Sequence, residues 1–279
     1  MAHQEGNFTT PDGLQLYTQS WLPENTLKAH LVMIHGIGEH GGRYANFAAW
    51  FKPLGYAVHT FDHRGHGKSP GQRGHINAWS EYRGDVGGFV AGAHDTRPDI
   101  PLFLVGHSLG GLIVLDYVLH GVSGLRGVVV SGPPLAWSAA TPQWRVVASR
   151  VLARLAPRMA MPTGLDVNGL SHDPGVLEAY RTDPLVHGLA TPAFAAAMDR
   201  TMRETMARAD AWPSDLPLLI VHGGADPICP PEASARFFAN VAARDKLRHV
   251  YPDFLHESFN EIGREQVLTD VQTWLDAHL

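Results

Sequence analysis

The run Leu102-Phe103-Leu104-Val105-Gly106-His107-Ser108-Leu109-Gly110-Gly111-Leu112-Ile113-Val114-Leu115 decides the fold. Its first four residues are apolar, as a strand buried on both faces requires. From Leu109 to Leu119 the chain reads as a helix. Between the two, Gly106-x-Ser108-x-Gly110 forms a sharp turn with a serine at its apex. A serine nucleophile needs its hydroxyl pushed out on such a turn, and flanking glycines let strand and helix pack closely. The pattern gains its meaning from the strand before it and the helix after it.

Outward from this unit, short apolar runs alternate with longer helical ones. Strands are expected at Leu14 to Gln19, His30 to Ile34, Ala57 to Phe61, Leu102 to Val105, Gly127 to Val130, Pro217 to Val221 and His249 to Tyr251. Helices are expected at Tyr44 to Leu54, Ser80 to His94, Leu109 to Leu119, Glu232 to Ala242 and Phe259 to His278. Alternation of this kind predicts an α/β fold with a mostly parallel central sheet flanked by helices. From Pro133 to Trp212 no strand is expected, and prolines at 142, 157, 162, 174, 184 and 192 separate helical pieces. This reads as a helical cap over the sheet's C-terminal edge, where ligands sit in open α/β sheets. The expected division is a core from 1–132 and 213–279, with a cap at 133–212.

Bulk composition narrows the function. At 279 residues the chain can bury a sizeable core. A net charge of −5 argues against a nucleic-acid partner. A single cysteine rules out an intrachain disulfide, and the polar stretch Met1 to Asn7 has no apolar signal region. The apolar runs are too short to span a membrane. The expectation is a cytoplasmic protein. Seventeen histidines raise the question of metal. Neither His35 with His40 nor His63 with His66 has the His-Glu-x-x-His spacing of a zinc hydrolase, so no metal is expected.

A serine hydroxyl needs a base, an orienter for that base and donors for a developing oxyanion. The partners should follow in the order Ser, acid, His. Asp226 follows the strand Leu218 to Val221 and is the best acid; the alternative is a turn-forming Asp before Pro227. His256 follows the strand His249 to Tyr251 and is the best base. His222 lies too near Asp226, His249 is within a strand, and His278 is terminal. Asp253 shares the base's loop. The oxyanion donors are expected to be the amides of Leu109, first in its helix, and Ile37, in the glycine-rich turn His35-Gly36-Ile37-Gly38. The alternative for that turn is a plain connecting loop. Asp62-His63-Arg64-Gly65-His66-Gly67-Lys68-Ser69 reads as structural, its Asp and Arg pairing within a rigid turn.

These motifs resemble the monoacylglycerol lipases within the α/β-hydrolases, and the broader lysophospholipase-like group. The resemblance covers nearly the whole chain outside the cap. It rests on His35-Gly36-x-Gly38-Glu39-His40 with Arg43-Tyr44, Asp62-His63-Arg64-Gly65-His66-Gly67-x-Ser69, Gly106-His107-Ser108-x-Gly110-Gly111, Gly224-x-Asp226 and His256-Glu257. It implies the α/β-hydrolase fold, the triad Ser108, Asp226 and His256, and Ile37 and Leu109 as oxyanion donors. Leu109 stands where many relatives carry Met, which barely touches a backbone donor. Cys229 resembles a cysteine near the site in animal monoacylglycerol lipases; the other reading is a small buried residue.

The expected activity is ester hydrolysis on a monoacylglycerol, without cofactor, falling below about pH 6–7 as His256 protonates. The alternatives are a lysophospholipase or short-chain carboxylesterase, and a non-catalytic scaffold that binds a lipid or a partner. In the cap, Trp144, Ala148, Val151, Leu152, Leu155 and Met159 share one helical face, with Arg150, Arg154 and Arg158 opposite. Such a helix either packs its apolar face on the core or lies on an anionic membrane or micelle surface. Oligomeric state is not encoded in these motifs.

Overall fold

The structure is a computed structural model that describes residues 3–139 and 141–279. In chain order the elements are β1 (His3–Thr9), β2 (Gln15–Trp21), β3 (Ala29–Ile34), α1 (Ala45–Phe51), β4 (Tyr56–Phe61), α2 (Ser80–Thr96), β5 (Leu102–His107), α3 (Leu109–Leu119), β6 (Gly127–Ser131), α4 (Gln143–Leu155), β7 (Met161–Pro162), α5 (Pro174–Thr182), β8 (Leu189–Ala190), α6 (Pro192–Ala207), β9 (Leu218–Gly223), α7 (Pro231–Asn240), β10 (Lys246–Tyr251) and α8 (Arg264–Ala277). Eight strands make one sheet in the order β1-β2-β4-β3-β5-β6-β9-β10. Strands β4, β3, β5, β6, β9 and β10 run parallel, and β2 pairs antiparallel with β1 and β4.

Alternation along each strand explains the layers. Val32 and Ile34 point into one core, with Leu104, Leu112, Val114 and Val86 of α2. Their neighbours Leu31 and Met33 point into the other, with Phe47 and Phe51 of α1 and Val271 and Leu275 of α8. Central strands buried on both faces therefore read as unbroken apolar runs. Strand order also fixes the site. Sequential strands β3 and β4 are neighbours, but β5 lies on the far side of β3. The loops leaving β3 and β5 open a crevice at that reversal, on the sheet's C-terminal edge.

Several expectations shift. β1 lies where the sequence reads only as a polar terminus. It is exposed on both faces and held by its antiparallel ladder to β2, so no apolar pattern marks it. The stretch from Pro133 to Trp212, expected to lack strands, contains the short antiparallel pair β7 and β8. The last helix begins at Arg264 rather than Phe259, because the preceding residues fold around a buried carboxylate. Glu261 accepts the amides of Leu255 at 3.2 Å and His172 at 2.8 Å. Arg64 does not pair within its own turn. It bonds Asp85 of α2 at 2.6 and 2.8 Å, and Asp12. Asp62 does act inside the turn, accepting the amide of Lys68 at 2.8 Å, and also ties the turn to the loop after β3 by accepting the amide of Gly41 at 2.8 Å.

Candidate active site

Ser108 sits at the junction of β5 and α3 with φ 50° and ψ −124°. It is the only non-glycine residue of positive φ among the described residues. Backbone strain of this kind costs about 1–3 kcal/mol and is sustained by its surroundings. The surroundings here are glycines. A Cβ on Gly110 would meet the Ile34 carbonyl oxygen at 2.0 Å, and one on Gly106 would meet the Gly110 oxygen at 2.6 Å. Both positions must lack a side chain for α3 to close onto β5 and β3.

The remaining groups converge from the same edge of the sheet. Asp226 follows β9 and His256 follows β10. His256 Nδ1 donates to Asp226 Oδ2 at 2.7 Å, and Ser108 Oγ donates to His256 Nε2 at 2.8 Å. All three side chains are buried. Asp226 is fixed from behind, its Oδ1 accepting the amides of Ile228 at 2.8 Å and Cys229 at 2.9 Å. Burial opposes its charge. The facing His256 and hydrogen bonds from His222 and His256 overcome that and hold the carboxyl well below the usual range. Burial likewise works against an imidazolium at His256, but the Asp226 carboxylate pushes its pKa well above the ordinary histidine value. A neutral His256 can take a proton from Ser108, and the resulting cation is stabilised by Asp226.

The loop after β3 meets the serine directly. A Cβ on Gly36 would touch the Ser108 Cβ at 3.2 Å. The Gly36 amide itself is occupied, donating to Glu39 Oε1 at 2.6 Å. Ile37 follows it at the mouth of the crevice, and Leu109 opens α3, so its amide has no acceptor within the helix. The segment between β6 and β9 reaches over both sides of the crevice. His187 donates its amide to Gly38 O at 2.8 Å, and His40 Nε2 meets Asp183 Oδ2 at 2.9 Å. On the other side, the amide of Glu257 donates to Leu170 O at 2.8 Å.

Comparison with known proteins now has a site to explain. The family model described as serine aminopeptidase S33, Hydrolase_4, matches residues 25–263. The chain belongs to that family of α/β-hydrolases. It is 36% identical over 276 residues to the monoacylglycerol lipase of Mycolicibacterium smegmatis, covering 99% of this chain and 98% of that one. A monoacylglycerol lipase crystal structure from Paleococcus ferrophilus superposes with a TM-score of 0.86 at 33% identity, over 95% of this chain and 99% of that one. A soluble variant of the Saccharomyces cerevisiae monoglyceride lipase, in complex with a substrate analog, gives 0.89 at 27% identity, over 99% and 94%.

Within this α/β-hydrolase, Arg43, Glu39, Tyr44, His107 and Glu257 belong to motifs but have no role assigned from sequence, Tyr180 belongs to none, and His222 supports the Asp226 turn as its place in the sequence suggests. Arg43 forms a fork with Glu257, at 2.7 and 2.8 Å, and also bonds Glu39. Glu39 in turn holds the Gly36 amide and the Tyr44 hydroxyl. Tyr180 of α5 stacks over the Arg43 guanidinium at 4.8 Å. His107 packs against the His256 ring with centroids 4.9 Å apart. His222 donates to the Cys229 carbonyl at 2.9 Å and lies 3.3 Å from Asp226 Oδ2. Sequence spacing gives no hint of the Arg43–Glu257, Arg43–Tyr180 and His107–His256 contacts, which join residues far apart in the chain.

Most of the expected apolar face of α4 points outward instead of packing on the core. Trp144 is 67% and Leu155 77% exposed, with Val147, Val151 and Met159 also exposed. The helix instead rests on α6 through Val146 and through Arg150, which bonds buried Asp199 at 2.8 and 3.1 Å. Asp199 also accepts from Trp137 and Arg203, so Arg150 is anchored to a buried carboxylate while its own side chain stays about half exposed. Among the described residues no helix is long and apolar enough to cross a membrane.

Proposed function

We propose that the protein hydrolyses monoacylglycerols to fatty acid and glycerol through an acyl-enzyme. The observation that carries the reaction class is the hydrogen-bond chain from Ser108 through His256 to Asp226. The substrate class comes from relatives named monoacylglycerol lipase. His256 Nε2 takes the Ser108 proton as Oγ attacks the ester carbonyl. The amides of Ile37 and Leu109 stabilise the oxyanion. Collapse expels the glycerol oxygen, which takes the proton from Nε2. Water then attacks the acyl carbon, leaving its proton on Nε2. The second collapse releases the fatty acid and returns the proton to Ser108.

Residues 133–212 serve in this reading as a cap whose α4 presents Trp144, Val147, Val151 and Leu155 to a lipid surface. Their outward orientation supports that use over a solvated one, since contiguous exposed apolar residues mark interaction sites. A second reading is phospholipid hydrolysis, favoured by 28% identity to Bacillus subtilis Phospholipase YtpA. Turnover of monoacylglycerol, lysophospholipid and butyrate esters separates them. The monoacylglycerol should give the highest kcat/KM, and a lysophospholipid preference would overturn the first reading. Ser108→Ala should lose turnover by about three orders of magnitude or more and lose fluorophosphonate labelling. Retained hydrolysis in that variant would refute the whole scheme.

A further inference from the structure

Cys229 has no part in the hydrolysis scheme, yet its side chain belongs to the site. Asp226, Cys229 and His256 each offer one ligand atom, and these atoms all lie within 4.8 Å of one another. All three residues are buried, and among the described residues they form the one such group of three. The buried thiol therefore lies against both the imidazole and the carboxylate of the triad. We propose that this trio binds a thiophilic divalent cation, Zn²⁺ or Cd²⁺, and that occupancy switches the hydrolase off.

The donor set decides the ion. A thiolate, an imidazole and a carboxylate are the ligands of zinc-type sites with one open position. Magnesium and calcium take oxygen ligands and find one carboxylate here. The carboxylate is pre-set, because the Ile228 and Cys229 amides occupy Oδ1 and leave Oδ2 directed at the histidine. Asp226 Oδ2 and His256 Nδ1 stand 2.7 Å apart. Zinc–ligand bonds of about 2.0–2.1 Å place tetrahedral neighbours roughly 3.3 Å apart, so this pair parts by about half an ångström to admit the ion, and the thiol, within 4.8 Å of both, closes onto it. Binding releases the thiol proton to solvent. It also takes a lone pair from His256. At Nε2 that removes the acceptor for the Ser108 proton; at Nδ1 it breaks the bond to Asp226 and moves the ring proton to Nε2, which fills the same acceptor. Either outcome stops catalysis.

The inhibition rests on the hydrolase reading, whereas the binding does not, so the two are measured separately. Cys229 is the only cysteine in the chain, so a sulfur-to-cadmium ultraviolet charge-transfer band reports this site alone. Titrating the full-length protein with Cd²⁺ should raise that band to saturation at one ion per chain. Ester hydrolysis should fall in parallel and return with EDTA, without a thiol reductant. In Cys229→Ala and Cys229→Ser, each normalised to its own metal-free rate, the inhibitory concentration should rise about tenfold or more. The basis is that even second-shell losses cost 10- to 100-fold in metal affinity. A band in a chain that hydrolyses no ester would keep the site and refute the hydrolase. Absence of the band overturns the proposal, as does inhibition equally strong in both variants or inhibition that EDTA fails to reverse.

Discussion

Arg43 and Glu257 form a two-pronged ion pair, Nη1 to Oε1 at 2.7 Å and Nη2 to Oε2 at 2.8 Å, that ties the loop after β3 to the loop after β10. Glu257 is the residue after His256. Arg43 also bonds Glu39, which holds the Gly36 amide beside Ser108. One guanidinium therefore sets the spacing between these two loops. Burial disfavours charge here, but the two carboxylates more than offset it and keep Arg43 ionised.

Replacing Arg43 should separate positioning from simple stability. Arg43→Met strands two buried carboxylates and should destabilise the fold by about 3–5 kcal/mol. Arg43→Lys keeps the charge but cannot span both partners as a fork. It should recover most of the thermal stability while kcat remains about 10- to 100-fold down, since small misplacements of reacting groups carry that cost. Thermal denaturation and steady-state kinetics on the two variants check this. A lysine variant with wild-type kcat would reduce Arg43 to a structural role.

The acidic limb of the pH–rate profile should lie above the ordinary histidine value of 6.5, because Asp226 raises His256. The sign follows from the chemistry. Only neutral His256 accepts the Ser108 proton, so kcat/KM falls as pH drops through the raised pKa. This moves the limb above the pH 6–7 expected from sequence for an unperturbed histidine. Asp226→Asn should shift the limb downward and cut kcat by about four orders of magnitude, as loss of the orienting carboxylate does in a serine triad. A wild-type profile flat down to pH 5 would contradict the histidine base.

Gly110→Ala tests the elbow. The added methyl would stand 2.0 Å from the Ile34 oxygen and 2.7 Å from the His35 oxygen, both backbone atoms that cannot swing away. The helix must back off from β3, at a cost of about 1–3 kcal/mol of stability. Because α3 carries Ser108 at its start, activity should fall further than stability. Melting temperature and active-site titration with a fluorophosphonate read the two effects apart. Gly92→Ala makes a control, since nothing lies within 4 Å of its built Cβ.

What the sequence disclosed follows from the range of the interactions involved. Buried parallel strands print themselves as apolar runs, and the elbow prints itself as spaced glycines, so Ser108, Asp226 and His256 could be chosen from order and context. The Arg43–Glu257 pair joins residues 214 positions apart, and no local pattern marks it. β1 was hidden because an edge strand held by backbone bonds carries no hydrophobic period. The α4 periodicity marks an apolar and an arginine face, yet neither turns inward: Trp144, Val151 and Leu155 are exposed, as are Arg150, Arg154 and Arg158, and the buried position is Val146. Asp199 on α6, a buried carboxylate distant in sequence, anchors the helix through Arg150.

The outward face of α4 yields the last prediction. Trp144 and Leu155 are exposed at opposite ends of the helix, with Val147 and Val151 between them. Burying a side chain of this size in lipid is worth about 1.5–3 kcal/mol. The double variant Trp144→Ser, Leu155→Gln should therefore weaken vesicle binding by about tenfold or more. Its loss of turnover should be larger on vesicle-borne monoacylglycerol than on a soluble butyrate ester. Arg145 stacks over Trp144 at 5.6 Å and places a cation beside the strip, so binding should rise with anionic lipid and fall with salt. Vesicle sedimentation at two lipid compositions and two salt concentrations measures both. Equal binding of wild type and variant would remove α4 as the lipid contact. Equal wild-type binding to neutral and anionic vesicles would remove the electrostatic part while leaving the apolar one, because the two arise from different atoms of the same helix face.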